Sequence, residues 1–177
     1  MRSYGTKLAI VTGIVITVGV ITAVAVMLYS ERFLSPDDWQ QRLSSAAREG
    51  NIQLMKRAIA HGADVNKFCC GMFPPLNSAA MEGHLEAAQY LVSRGANVNI
   101  GDKFHGTPLM EASRGGHIEV VRFLLHHGAD PNAIEYMNNS SVLDWAEGNP
   151  EIIRLLKERG AVIEHPGIWE NVSGKHK

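Results

Sequence analysis

The first 35 residues and the rest of the chain carry different hydrophobic patterns. Residues 8–29 read LAIVTGIVITVGVITAVAVMLY without a charged residue, and a helix of this length spans about 33 Å, enough to cross the core of a bilayer. After residue 36, apolar residues instead recur at helical spacing in short segments that end near glycine, as in HLEAAQYLVSR and HIEVVRFLLHH. The pattern predicts one apolar helix followed by a series of short amphipathic helices.

Two interpretations of the apolar segment remain open. As a retained transmembrane anchor, it would place its N-terminus in the cytoplasm, because Arg2 and Lys7 precede the run. As a cleaved signal peptide, it would be cut at the small residues Ala23-Val24-Ala25, although the run is longer than the usual apolar region of such peptides. Both interpretations export the rest of the chain.

The remainder of the chain repeats itself. The phrases HGADVN, RGANVN and HGADPN place Gly62, Gly95 and Gly128 at equal intervals. A second phrase keeps the same period, as PPLNSAAMEGH and then TPLMEASRGGH. Thr107-Pro108 is typical of a helix start, with an N-cap followed by proline, and the three glycines are typical of helix ends. The period predicts stacked helix–loop–helix units.

These phrases resemble the ankyrin repeat, whose signature is T-P-L-H-x-A at a period of about 33 residues. The resemblance covers about Trp39 to Ile163 and implies an all-α solenoid of about four helix–loop–helix units with β-hairpin-like fingers. The apolar run predicts one transmembrane helix before this solenoid. The predicted organisation is a cytoplasmic N-terminus at 1–7, an anchor at 8–29, a linker at 30–35, repeats at 36–66, 67–99, 100–132 and 133–163, and a tail at 164–177. The first and last repeats are degenerate, as end caps are. The short spacing from Ala146 to Gly160 predicts a shorter turn between the helices of the last repeat.

Net charge and sequence motifs limit the functions that the chain can have. The net charge of −1 argues against a nucleic-acid partner. The only cysteines, Cys69 and Cys70, are adjacent, which is neither a zinc spacing nor a disulfide framework. The sequence contains no Gly-rich phosphate loop, nucleophile elbow or HExxH. We therefore expect a protein that is not an enzyme and uses no cofactor or metal. The alternative is a thiol-redox protein that uses Cys69 and Cys70.

Histidines and tryptophans have structural interpretations here. The resemblance implies that His84 and His117, at the same point of successive repeats, pack and hydrogen-bond between loops. The pair at 126–127 precedes a helix end, where partial positive charge is favourable. The tryptophans are expected to cover the ends of the core: Trp39, Trp145 and Trp169.

The finger between the first two repeats is unusually apolar, because it reads KFCCGMF at residues 67–73. The resemblance implies that finger positions and the ends of the first helices contact a partner. The predicted partner-binding residues are Phe68, Met72, Phe73, Met81, Glu82, Lys103, Phe104, His105, Arg114, Tyr136 and Met137. The alternative is that some of the rings fold beneath the fingers and pack on neighbouring repeats.

A repeat stack without catalytic motifs predicts protein binding on its concave and finger face. The chain also resembles small bacterial ankyrin proteins with an N-terminal export segment. That resemblance implies an inner-membrane protein with periplasmic repeats that scaffolds, inhibits or protects a partner, with links to oxidative-stress defence or toxin neutralisation. The alternatives are a secreted or periplasmic protein after signal cleavage, and a cytosol-facing adaptor or effector.

Overall fold

The computed structural model describes residues 20, 34–68, 73–102 and 106–162. The chain divides into two units, Met1–Ser35 and Pro36–Lys177. No helix among the described residues is both long and apolar enough to cross a membrane. The predicted anchor at 8–29 lies outside the described residues except for Val20, so the transmembrane helix remains a prediction.

Short helices dominate the described part of the second unit, and one two-stranded hairpin interrupts them. Glycines end most of these helices, and their positive φ angles are left-handed conformations that other residues adopt only under strain. In chain order the elements are α1 (Pro36–Glu49), α2 (Ile52–Ala60), α3 (Pro75–Met81), α4 (Leu85–Ser93), α5 (Pro108–Arg114), α6 (Ile118–His126), β1 (Ile134–Glu135), β2 (Ser140–Ser141), α7 (Val142–Trp145) and α8 (Pro150–Glu158).

The helices form two rows. The first helices of successive repeats, α1, α3, α5 and α7, pack on one another in order, and the second helices α2, α4, α6 and α8 form the other row. The core between the rows keeps the period of the sequence, since side chains at equivalent positions of successive repeats are equally buried. Two such series are fully buried: Leu43, Leu76, Leu109 and Val142; and Met55, Ala88 and Val121.

Local sequence explains where the helices begin. Thr107 caps α5 as predicted, because its Oγ1 accepts a hydrogen bond from the Met110 N–H at 3.3 Å, and Pro108 occupies the first helical position. Ser141 caps α7 in a reciprocal capping box, in which Asp144 Oδ2 accepts from the Ser141 N–H at 2.7 Å. In α3, Pro74 stands at the cap position and supplies no side-chain hydrogen bond.

Histidines link neighbouring repeats at the turn between the two helices. His84 Nε2 donates to the Arg48 carbonyl at 2.9 Å, and His117 Nε2 donates to the Met81 carbonyl at 3.0 Å. Asn149 takes the same place one repeat later, where its Nδ2 reaches the Ser113 carbonyl at 3.5 Å. The expectation that His84 and His117 pack and hydrogen-bond between loops is therefore met.

An asparagine ladder links the repeats at their other turn. Asn66 Nδ2 donates to the Gly95 carbonyl at 3.1 Å, while Asn66 Oδ1 accepts from the Asn97 N–H at 2.8 Å. Asn99 and Asn132 make the same pair of bonds to the next repeat. The repeated Gly-Ala-x-x-Asn phrase is thus a device for joining consecutive units.

The last repeat is shortened in its first helix rather than in the turn, so the predicted location of the missing residues is wrong. Helix α7 has four residues where α5 has seven. The turn keeps Gly148 at φ +85 and Asn149, whose side chain hydrogen-bonds to the preceding repeat. The shortening of the last repeat therefore falls in its first helix, while the loop between its two helices keeps both of these residues.

Candidate partner-binding surface

The finger of the last repeat is a true β-hairpin. Strands β1 and β2 pair antiparallel, with Ile134 opposite Ser141 and Glu135 opposite Ser140. Residues 136–139 form the tip, which closes through Asn139 at φ +53, a conformation that asparagine tolerates better than most residues. The tip presents its two apolar side chains to solvent, since Tyr136 is 73% exposed and Met137 is 67% exposed.

The finger of the third repeat is closed by Asp102. Its N–H donates to the Gly106 carbonyl and its Oδ1 accepts from the Gly106 N–H, both at 2.9 Å. Asn77, on the first helix of the preceding repeat, donates to the same Gly106 carbonyl at 2.7 Å. The predicted tip residues Lys103, Phe104 and His105 lie outside the described residues.

The first finger is held at its base by Gln40 of α1. The Gln40 amide accepts from the Asp64 N–H and donates to the carbonyls of Asp64 and Lys67, each at 2.9 Å. Phe68 directly follows Lys67, the last residue that Gln40 holds, and is 41% exposed. Residues 69–72, which include Cys69, Cys70 and the predicted contact Met72, lie outside the described residues.

A pocket of about 430 Å³ lies between the fingers and the first helices, and we call it the concave pocket. Its volume falls within the ~300–1,000 Å³ typical of ligand sites. It is built from residues of three successive repeats, so that no single repeat contains it. Its lining consists of Phe73, Asp102, Gly106, Glu111, Arg114, Glu135, Met137, Asn138 and Trp145.

The concave pocket combines one cation with buried carboxylates and apolar walls. The Arg114 guanidinium donates to Glu111 Oε2 at 2.7 Å through Nη2 and at 3.3 Å through Nε. Its central carbon lies 5.8 Å from the ring centroid of Trp145, within the range of a cation–π contact. Glu111 and Glu135 are almost fully buried, as is Asp102. The lining of the pocket therefore combines three carboxylates with the aromatic side chains of Phe73 and Trp145.

The structure brings only some of the predicted partner-binding residues together. Phe73, Arg114 and Met137 all line the concave pocket. Phe68 and Tyr136 are exposed on their fingers and do not line it. Met81 and Glu82 end α3, where the Met81 carbonyl accepts from His117 and the Glu82 side chain faces solvent.

Three functional candidates were missed at the sequence level: Glu111, Glu135 and Trp145. A signal existed for Glu111, since an acidic residue inside the otherwise uncharged TPLMEAS phrase sits in a segment predicted to be buried. No comparable signal marks Glu135, whose burial depends on the hairpin folding over the pocket.

The tryptophans have separate environments. Trp39 is buried and stacks on His61 with ring centroids 4.1 Å apart, as a residue covering the first end of the core should. Trp145 instead lines the concave pocket, because it is the last residue of the short helix α7 and faces Arg114. The expectation for Trp145 is corrected accordingly. Trp169 lies outside the described residues.

Comparison with known proteins agrees with this geometry. The family model described as ankyrin repeats (3 copies) matches residues 43–135 and 102–166, which together span more than half of the chain. None of the curated proteins compared with the chain matches it.

Proposed function

Because this chain belongs to the ankyrin-repeat family, a family of protein–protein interaction modules, we propose that it is a membrane-tethered module that binds a partner through its fingers and concave pocket. A solenoid suits this work, since stacked repeats build a continuous concave surface wider than any one unit offers. The concave pocket spans three successive repeats and is part of such a surface.

The observation that carries the proposal is the exposure of apolar side chains on the fingers. Within the described part of residues 36–162, four large apolar side chains are exposed: Phe68, Tyr136, Met137 and Val162. Three of the four lie on fingers, whereas apolar residues on the helices form the core. Aromatic and methionine side chains are enriched at protein interfaces. Their placement on projecting loops supports contact with a partner rather than a role in folding.

Tethering would keep this surface near a bilayer. The charge-free run at 8–29 supports an anchor, and basic residues before it support export of the repeats. The partner would then be a protein of the cell envelope that the chain scaffolds, inhibits or protects. Oxidative-stress defence and toxin neutralisation are the roles that the sequence resemblance suggests for such a module.

Partner capture by crosslinking from membranes tests the proposal. We expect Tyr136→Ser to weaken capture of the partner about 10-fold or more, because an aromatic anchor contributes ~2 kcal/mol or more to binding. The melting temperature should stay nearly unchanged, since Tyr136 is mostly exposed. Capture would be quantified by mass spectrometry of the crosslinked complex.

Val162→Ser is the matched control, because Val162 is also exposed and apolar but lies after the last helix, away from the fingers. Its capture should equal that of the unmodified chain. Equal capture by all three proteins would show that the fingers do not contact the partner.

A further inference from the structure

The carboxylates of the concave pocket are not equally satisfied. Asp102, Glu111 and Glu135 are only 5%, 3% and 4% exposed, and all three line the pocket. Asp102 accepts from the Gly106 N–H, and Glu111 accepts twice from Arg114. Glu135 accepts one hydrogen bond at Oε1, from the Met137 N–H at 3.2 Å. Its Oε2 is buried and has no hydrogen-bond partner within the described part of the chain.

An unpartnered carboxylate oxygen at this depth indicates a missing donor. Burying a charged oxygen without a hydrogen bond costs free energy that a bound donor would recover. The described lining carries three carboxylates and one guanidinium, so its net charge is negative. A cationic donor would complement the carboxylates of the described lining.

The walls of the pocket suit a cation carried on an apolar stem. Phe73, Met137 and Trp145 provide apolar surface along which the methylenes of a long basic side chain can lie. The Arg114 guanidinium already lies 5.8 Å from the Trp145 ring centroid, which supports this wall as a surface that a planar cation can approach. A metal ion is a poorer match, because no group of three histidine, cysteine or acidic residues among the described residues has the arrangement of a metal site.

We propose that the concave pocket receives an arginine side chain of the partner, whose guanidinium donates to Glu135 Oε2. Arginine suits the site better than lysine, because its planar fork of donors can serve a carboxylate while its face lies on an aromatic ring. This assignment rests on the proposed function, since it names the chemistry by which the same surface recognises its protein partner.

Titration with short blocked peptides tests the assignment without knowledge of the partner. The full chain, held in detergent micelles, would be followed by two-dimensional NMR while acetyl-Gly-Arg-Gly-amide is added. We expect saturable shifts at Glu135 and at the Trp145 indole N–H. The same peptide with citrulline, a neutral isostere of arginine, should bind at least ~10-fold more weakly, because hydrogen bonds to charged groups are the stronger class. Equal shifts with both peptides, or no saturable shifts with the arginine peptide, would overturn the proposal.

Two further arms sharpen the result. Glu135→Gln keeps the shape of the side chain and removes its charge, so the arginine peptide should bind at least ~10-fold more weakly than to the unmodified chain. Glu147→Gln, at an exposed acid outside the pocket, should leave binding unchanged. If a lysine peptide binds as tightly as the arginine peptide, the site recognises a point charge and the arginine assignment is wrong. Should Glu135→Gln fail to fold, the arginine–citrulline comparison on the unmodified chain still decides.

The outcome is separable from that of the proposed function. If Tyr136→Ser weakens partner capture but the unmodified chain does not distinguish arginine from citrulline, the finger surface is supported as the binding surface and the arginine site is refuted. If the arginine peptide binds as expected but Tyr136→Ser captures the partner normally, the pocket assignment survives and the finger contact is refuted.

Discussion

At the scale of single residues, the His117 ring leaves no room for a side chain at Gly83 of the preceding repeat. Gly83 adopts φ +76, and a Cβ at this position would lie 2.6 Å from His117 Cε1, closer than real side chains approach. Gly95 adopts a similar φ of +89 but has nothing within 4 Å of its would-be Cβ. The two glycines therefore differ in what an added methyl group would meet, because only Gly83 faces the ring of the neighbouring repeat.

We predict that Gly95→Ala lowers the free energy of unfolding by about 1–2 kcal/mol, the cost of a left-handed backbone for an alanine. Gly83→Ala should lower it by clearly more, because the added methyl also displaces His117. Chemical denaturation of both variants would measure the difference.

Truncation of the ring provides the control. In the background of His117→Ala, the extra cost of Gly83→Ala over Gly95→Ala should largely disappear, because the methyl then meets no ring. Equal losses of unfolding free energy for the two glycine substitutions with His117 intact would contradict this prediction. They would show that the His117 ring moves aside without loss of stability.

At the scale of elements, the stack is stabilised by apolar positions that recur once in every repeat. Leu109 lies on α5 in the first row, Leu124 lies on α6 in the second row, and both are fully buried. Their helices contact the equivalent helices of the neighbouring repeats. Helices of seven to nine residues are marginally stable on their own. These helices therefore depend for their stability on the burial of such side chains in the stack.

We predict that Leu109→Ala and Leu124→Ala each lower the free energy of unfolding by about 2–5 kcal/mol, the range for buried leucines. Met137→Ala is the control, since this apolar side chain is mostly exposed at the hairpin tip and its truncation should cost almost nothing. Thermal and denaturant melts would report all three. Similar losses at the three positions would contradict the assignment of the core.

At the scale of the whole chain, the two units have different tasks in the proposed function. The repeat unit presents the binding surface, and the N-terminal unit Met1–Ser35 would carry the anchor. The anchor is inferred from the charge-free run at 8–29, whose length matches the core of a bilayer. Anchoring would restrict partner capture to proteins that reach the membrane surface.

We predict that the full chain stays in the membrane fraction with the repeats exported, because the apolar run is long enough to span and basic residues precede it. Reporters fused after Lys177 should be active only when they require export. An active cytosolic reporter beside a silent exported one would contradict this topology. A soluble product that begins near Val26 would instead show that the segment is a cleaved signal peptide.

The sequence by itself determined the repeat fold, because the same phrases return at a constant period and each carries its own helix start and helix end. Thr107-Pro108 predicts the start of α5, and Gly95 and Gly128 predict the ends of α4 and α6. Such signals are local, since capping and left-handed glycines involve only a few neighbouring residues. The roles of His84 and His117 followed from the family resemblance, and their hydrogen bonds bear it out.

Only the tertiary structure decided which side chains share the concave pocket. Glu111, Glu135 and Trp145 come from different elements, and the stacking of repeats and the folding of the hairpin bring them together. The same holds for the short α7, which ends before the loop where Asn149 hydrogen-bonds to the preceding repeat. Burial of a charged side chain depends on what covers it from elsewhere in the chain. A periodic sequence pattern does not show which distant residues bury a given side chain. Only the three-dimensional arrangement shows this.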